Sequence, residues 1–181
     1  MTKQELRKKL RAQRNALTQS EIENCSQKIT EQILCAEWFL SAKNIMLYRS
    51  SKNEVITDYL WNAWKKAGKT CLFPKCISQT EMIAVLAEKE SDFSPSVYGI
   101  LEPVSNIEFP KEKIDLVIVP GLGFDKQKYR IGYGAGYYDR FLADFSGVTC
   151  GLSYHALLCE SVFPDIHDIR LSYVATENGI F

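Results

Sequence analysis

The chain has 181 residues, 22 Lys+Arg against 22 Asp+Glu, 46% hydrophobic and 12% aromatic residues. That length suits one domain with a real core, and the aromatic content excludes a disordered or low-complexity chain. Zero formal net charge removes the basic field of a nucleic-acid-binding protein, and no apolar run approaches the roughly 20 residues needed to cross a bilayer.

The first helix signal runs from about Lys3 to Leu17, with Leu6, Leu10 and Leu17 near one stripe. It carries Lys3, Arg7, Lys8, Lys9, Arg11 and Arg14 against the single acid Glu5, so a neutral chain concentrates positive charge here. Such a helix is either a solvated amphipathic face or a cation cluster for a polyanionic ligand. Lys3 and Arg7, four apart, share one side. Thr18 with Glu21 is a capping-box signature for a second helix to about Ala36, with Ile22, Ile29 and Ile33 inward. Asn44 to Tyr48 reads as a first buried strand. Thr57 is expected to cap a helix holding Tyr59, Leu60, Trp61 and Trp64, which Gly68 stops.

A second strand is expected over Thr70 to Phe73, ended by Pro74, and a third over Glu81 to Ala87. Ser91 to Pro110 reads as irregular. Ile114 to Val119 is the clearest strand, closed by Pro120 and Gly121. Tyr137 to Phe145 reads as a helix ended by Gly147, and Val148 to Leu152 and Tyr173 to Thr176 as further strands. Strands alternating with helices predict one domain over residues 1–181, a three-layer α/β/α arrangement on an open, mainly parallel but mixed sheet, Rossmann-like. The six cysteines form no C-x-x-C pair and have no histidine at zinc spacing. Reduced thiols in a cytoplasmic protein follow, most of them small core residues. The charged opening has no apolar stretch of the secretory kind, and Glu5 with an ordered helix argues against a transit peptide.

Seven of the ten glycines lie between Gly121 and Gly151, beginning where the clearest strand stops. Ligands of open α/β sheets bind outside the carboxyl ends of the strands, so this is the candidate site. In Arg130-Ile131-Gly132-Tyr133-Gly134-Ala135-Gly136-Tyr137-Tyr138-Asp139, three alternate glycines can turn successive N–H groups toward one anion. Arg130 adds a planar fork for phosphate, and Asp139 is placed as an oxygen ligand for Mg²⁺. The dinucleotide and Walker A fingerprints both fail on spacing. His155 and His167 have no Ser or Cys at motif spacing, so hydrolase chemistry is not expected. The residues alone reach a phosphate-binding α/β domain with a metal.

Pro120-Gly121-Leu122-Gly123-Phe124-Asp125 followed by Arg130 through Asp139 resembles the signature of the 5-formyltetrahydrofolate cyclo-ligase family. Lys3-Gln4-Glu5-Leu6-Arg7, the Tyr48 to Thr57 segment with Glu54, Gly99-Ile100-Leu101-Glu102-Pro103, Asp168 and Thr176-Glu177 resemble its other segments in order. Lys128, where the family often has glycine, and Arg49, where it is often apolar, depart from the pattern.

The resemblance implies conversion of 5-formyltetrahydrofolate to 5,10-methenyltetrahydrofolate with ATP and Mg²⁺, releasing ADP and phosphate. It implies that Lys3, Arg7 and the loop Arg130, Ile131, Gly132, Tyr133, Gly134, Ala135, Gly136, Tyr137 and Tyr138 hold ATP. Arg49, Glu54 and Tyr133 to Tyr137 would face the folate, and Asp139 and Asp168 the metal, with Arg130 and Asp139 the catalytic pair. It further implies a cytoplasmic monomer acting on small molecules, with no nucleic-acid or membrane partner. Two other readings stay open on the residues: a sugar-phosphate isomerase or acyl-CoA-type transferase needing no ATP, and a non-catalytic module storing folate or nucleotide.

Overall fold

A computed structural model describes residues 1–96 and 99–181. Helix α1 (Lys3–Asn15) starts from a capping box at Thr2: its hydroxyl accepts from Glu5 N–H at 3.2 Å, and the Glu5 carboxylate accepts from Thr2 N–H at 2.7 Å. Leu6 and Leu10 are buried as the stripe predicts, and Arg14 goes inward with them. Helix α2 (Gln19–Leu34) opens on the expected box, Thr18 N–H donating to Glu21 at 2.8 Å, and buries Ile22, Ile29 and Ile33. A short α3 (Glu37–Ser41) follows that the sequence reading does not contain; five residues with one buried side chain give little periodicity to detect.

Strand β1 (Asn44–Met46) leads to α4 (Asp58–Lys66). Thr57 stands before α4 but does not cap it. Its buried hydroxyl donates to Tyr48 O at 2.6 Å and accepts from Ser50 N–H at 3.2 Å, tying the loop after β1. Gly68 ends the helix as predicted, at φ +68°, with the Lys69 N–H returning to Trp64 O at 3.1 Å in a Schellman-type stop. Strand β2 (Thr70–Cys76) does not end at Pro74 but runs through it. Its parallel partner β1 stops at the Met46–Leu72 pair. Opposite Pro74, the Ala84 carbonyl turns outward to accept from Phe109 N–H at 2.8 Å. No ladder bond is asked of the missing N–H.

After β3 (Met82–Leu86), the stretch predicted as irregular carries an antiparallel hairpin, β4 (Phe93–Pro95) with β5 (Leu101–Pro103); its residues 97 and 98 lie outside those described. Both prolines sit at the strand ends of a two-stranded ribbon, where they are tolerated. Then come β6 (Leu116–Val119), β7 (Gly123–Asp125), β8 (Arg130–Ile131), α5 (Tyr137–Leu142), β9 (Val148–Leu152), β10 (Leu158–Cys159), β11 (Tyr173–Thr176) and β12 (Gly179–Ile180). Helix α5 stops three residues before the predicted Phe145, because the chain must turn to lay Gly147 against the Asp115 carbonyl, which an added Cβ would meet at 2.8 Å.

Among the described residues, seven strands form one sheet in the order β12-β11-β9-β6-β1-β2-β3. The pairs from β11 through β2 are parallel and the two edge pairs antiparallel, so the mixed, mainly parallel α/β fold is as expected. Alternate residues feed two cores. Ile45, Leu116, Ile118 and Leu152 pack with the inward faces of α1 to α4, while Met46, Val117 and Val119 pack with Phe141 and Leu142 of α5. From β1 the strand order runs to β2 on one side and to β6, β9 and β11 on the other, so the switch point lies between β1 and β6. The glycine-rich stretch expected to be loop is partly sheet, in the order β10-β7-β8. Among the described residues no helix is long and apolar enough to cross a membrane.

Candidate active site

The loops leaving β1 and β6 meet at the switch point. The first carries Glu54; the second carries the run from Gly121 to Gly136. Between β7 and β8 the turn is organised by Asp125, whose Oδ1 accepts from the N–H groups of Gln127 and Tyr129, both at 3.0 Å, and whose Oδ2 accepts from Val162 N–H at 3.1 Å. Lys128 takes the left-handed conformation there, at φ +71°, so the departure from glycine leaves the turn intact and costs some strain.

The glycines divide into two kinds. Gly134 (φ +107°) and Gly136 (φ +70°) need the freedom of glycine to form the turn ahead of α5. Gly121, Gly123 and Gly151 serve packing: the Phe124 ring lies where the first and last would place a Cβ, and Leu10 and the Leu157 carbonyl crowd Gly123. Helix α5 has only six residues, so its dipole adds little to the turn ahead of it.

Helix α1 makes contacts at three heights, one to the Asp165–Asp168 segment and two to the glycine loop. Lys3 Nζ donates to Asp165 at 2.9 Å and Asp168 at 2.5 Å; burial works against the Lys3 charge, but the two carboxylates outweigh it and hold the ammonium above its ordinary range. Arg7 Nε donates to Gly132 O at 2.9 Å. Arg14, 4% exposed, donates from Nη2 to the Tyr133 hydroxyl at 2.6 Å. Tyr133 in turn donates to Glu54 Oε1 at 2.8 Å, and Ser51 N–H donates to Glu54 Oε2 at 3.0 Å. Burial, then the Glu54 charge, pushes the Tyr133 hydroxyl up to about 12, while the residue as a whole stays 52% exposed. A ring held by its hydroxyl and open on a face can stack on a flat ligand.

Arg130, buried on β8, pairs with Asp139 at 2.9 Å and lies 5.5 Å from the Tyr138 ring centroid. Its Nε has no hydrogen-bond partner in the fold, a buried donor of the sort an anionic ligand satisfies. Asp139 Oδ1 accepts at 3.4 Å from the N–H of Ile169, the residue that follows Asp168. Among the described residues no group of three His, Cys, Asp or Glu could hold a metal by itself. Two carboxylates completed by phosphate oxygens and water suit Mg²⁺, so the donor set fits that ion with a nucleotide.

The fold thus gathers Lys3, Arg7, Glu54, the loop 130–139 and Asp168. Within the loop, the Ile131 side chain is spent in the core, Ala135 O accepts from Arg140 at 2.7 Å, and the Tyr137 hydroxyl donates to Ser78 O at 2.9 Å. Arg49 goes elsewhere. Its guanidinium lies 4.7 Å from the Trp61 and 5.0 Å from the Phe93 ring centroids and forks to Glu90 at 3.0 and 3.2 Å. The sequence reading missed Arg14 as a site residue; its one available signal was an arginine continuing the apolar stripe of α1. It also missed Cys76 beside Glu102, where burial raises both groups, the thiol to about 11.

A mainly parallel sheet with a glycine turn and acidic and basic side chains gathered at its switch point is the architecture of an α/β enzyme. The chain belongs to the 5-formyltetrahydrofolate cyclo-ligase family, whose model matches residues 1–177. It is similar to the 5-formyltetrahydrofolate cyclo-ligase of Mus musculus, 27% identical over 191 residues (98% of this chain and 94% of that protein). It is also similar to that of Mycoplasma pneumoniae, 33% identical over 147 residues (78% and 77%). The NMR structure of Aquifex aeolicus 5,10-methenyltetrahydrofolate synthetase superposes with a TM-score of 0.88 at 31% identity, covering 99% of this chain and 92% of that one.

Proposed function

We propose that the chain converts 5-formyltetrahydrofolate and ATP to 5,10-methenyltetrahydrofolate, ADP and phosphate, with Mg²⁺. ATP is needed because a formyl oxygen leaves poorly. In the proposed sequence that oxygen attacks the γ-phosphorus and ADP departs. N10 then attacks the formyl carbon and loses its proton, the C–O bond breaks, and phosphate leaves with the oxygen. The protein's work is positioning and charge neutralisation.

In this reading the backbone of Gly132 to Gly136, with Lys3, Arg7 and Arg130, holds the triphosphate. Asp139 and Asp168 hold Mg²⁺, which when bound would neutralise charge on the phosphates. Glu54 accepts from the pterin amino and ring N–H groups, and the Tyr133 ring lies along a flat ligand. Arg49 could reach the folate only by leaving Glu90 and Asp58. All six cysteines are free thiols, which suits a reducing, cytoplasmic setting.

The observation that carries the reading is the double attachment of one loop. Its Arg130 pairs with Asp139 at the end proposed for the nucleotide, and its Tyr133 donates to Glu54 at the end proposed for the folate, which supports two ligands held side by side. The test is to mix the purified protein with 5-formyltetrahydrofolate, ATP and Mg²⁺ and follow methenyl absorbance, omitting each component in turn. Product that forms without ATP, or none with all three present, refutes it. The storage reading predicts tight folate binding with no product, and the paired carboxylates speak against it.

A further inference from the structure

We propose that Arg14 is a positioning residue for the folate, not a phosphate ligand: acting through Tyr133 and directly, it sets the Glu54 carboxylate for a pterin N–H donor. This rests on the folate reading above. Lys3, Arg7 and Arg14 are cations of one helix, and by type alone all three suit a polyanion. Geometry separates them. Lys3 meets the Asp165–Asp168 pair and Arg7 meets the Gly132 carbonyl, whereas Arg14 is buried against Glu54, Nη1 to Oε1 3.6 Å.

Arginine only donates, so the Tyr133 hydroxyl must accept from Arg14 and spend its own proton on Glu54 Oε1. Ser51 N–H takes one position on Oε2. Each carboxylate oxygen offers about two acceptor positions; the Tyr133 hydroxyl and Arg14 Nη1 occupy the surroundings of Oε1, and Oε2 keeps one position beside the Ser51 N–H for a pterin donor. The space beside Arg14, lined also by Tyr48, Glu54, Ser153 and Tyr154, is a cavity of about 10 Å³. That admits at most one water. Arg14 Nε and Nη1 are buried without hydrogen-bond partners, with Nη1 3.6 Å from Glu54 Oε1.

The test is calorimetric titration with 5-formyltetrahydrofolate, and separately with a non-hydrolysable ATP analogue plus Mg²⁺. The variants are Arg14→Lys, Arg14→Met, Tyr133→Phe, Glu54→Gln and the double variant Arg14→Lys/Glu54→Gln. Arg14→Lys should weaken folate binding about ten-fold or more, the scale of a lost charged hydrogen bond. Nucleotide affinity should stay within about two-fold, and in the Glu54→Gln background the further loss of folate affinity should also be under about two-fold, since residues acting through one group are not additive. A merely structural arginine would lower the melting temperature in both backgrounds and add fully.

Should Arg14→Met fail to fold, Arg14→Lys and Tyr133→Phe carry the test. Lost nucleotide affinity with intact folate binding overturns the proposal, as does full additivity. Wild-type protein that binds no 5-formyltetrahydrofolate overturns the folate reading beneath it; wild-type binding that the Arg14 variants leave unaltered overturns this proposal alone.

Discussion

Replacing Gly123 by alanine tests whether packing of α1 on β7 places the cations of the site. A Cβ there would lie 2.8 Å from Leu10 Cδ1 and 2.8 Å from the Leu157 carbonyl oxygen. The leucine end can rotate away, but the carbonyl is backbone, next to Leu158, which pairs with Phe124 across β10 and β7. Relief therefore means separating β10 from β7 or lifting α1. Overpacking of this sort costs about 1–3 kcal/mol, and in a chain of this size each kcal/mol lowers the melting temperature by about 2–4 °C. A drop of about 2–12 °C is expected in a thermal melt. Lifting α1 also withdraws Lys3 and Arg7, so the KM for ATP should rise at temperatures where the variant is folded. Gly123→Ala with unchanged melting and unchanged ATP dependence would refute the account of why glycine stands there.

Asp139→Asn should lose turnover by at least about a hundred-fold, the scale of a lost electrostatic partner in a transition state, and some stability as well, since the buried Arg130 loses its carboxylate; near-normal rates at low Mg²⁺ would contradict the metal assignment. Thr57→Val removes the hydroxyl that joins Tyr48 O to Ser50 N–H and should cost about 1–3 kcal/mol in denaturant unfolding while raising the folate KM through the loop that holds Glu54. Gly136→Ala, forced to φ +70°, should lose about 1–2 kcal/mol and most ATP affinity, with circular dichroism unchanged. The Lys3 hydrogen bond, then the His167 N–H, holds the Asp165 carboxyl below the usual carboxylate range. A carboxyl lowered by folding stabilises the native state above its unfolded pKa, and that stability is lost as pH falls through the lowered value. Acid unfolding in that window should thus be shallower in Asp165→Asn than in the wild type.

Local chemistry was legible where the deciding contacts are close in sequence. The Thr18–Glu21 box, the stop at Gly68, the four-residue core of β6 and the span of β9 each depend on neighbours a few positions away, and they stand where the pattern puts them. The failures have a common cause in distant partners. Pro74 belongs to a strand because β1 ends beside it and the opposing carbonyl turns outward. Thr57 abandons its cap for Tyr48 and Ser50. The hairpin of β4 and β5 adds three residues on each side to a stretch rich in turn formers.

From its residues alone the chain determined an α/β domain with a glycine turn after its best strand, because strand end, glycine spacing and the flanking Arg130 and Asp139 are contiguous. Tertiary structure decided which parts meet that turn. The switch between β1 and β6 brings Glu54 to Tyr133, and the docking of α1 brings Lys3 to Asp168 and Arg14 to both Tyr133 and Glu54. Those pairs lie from 40 to 165 residues apart. No periodicity reports such a pairing; it follows from which strand lies beside which.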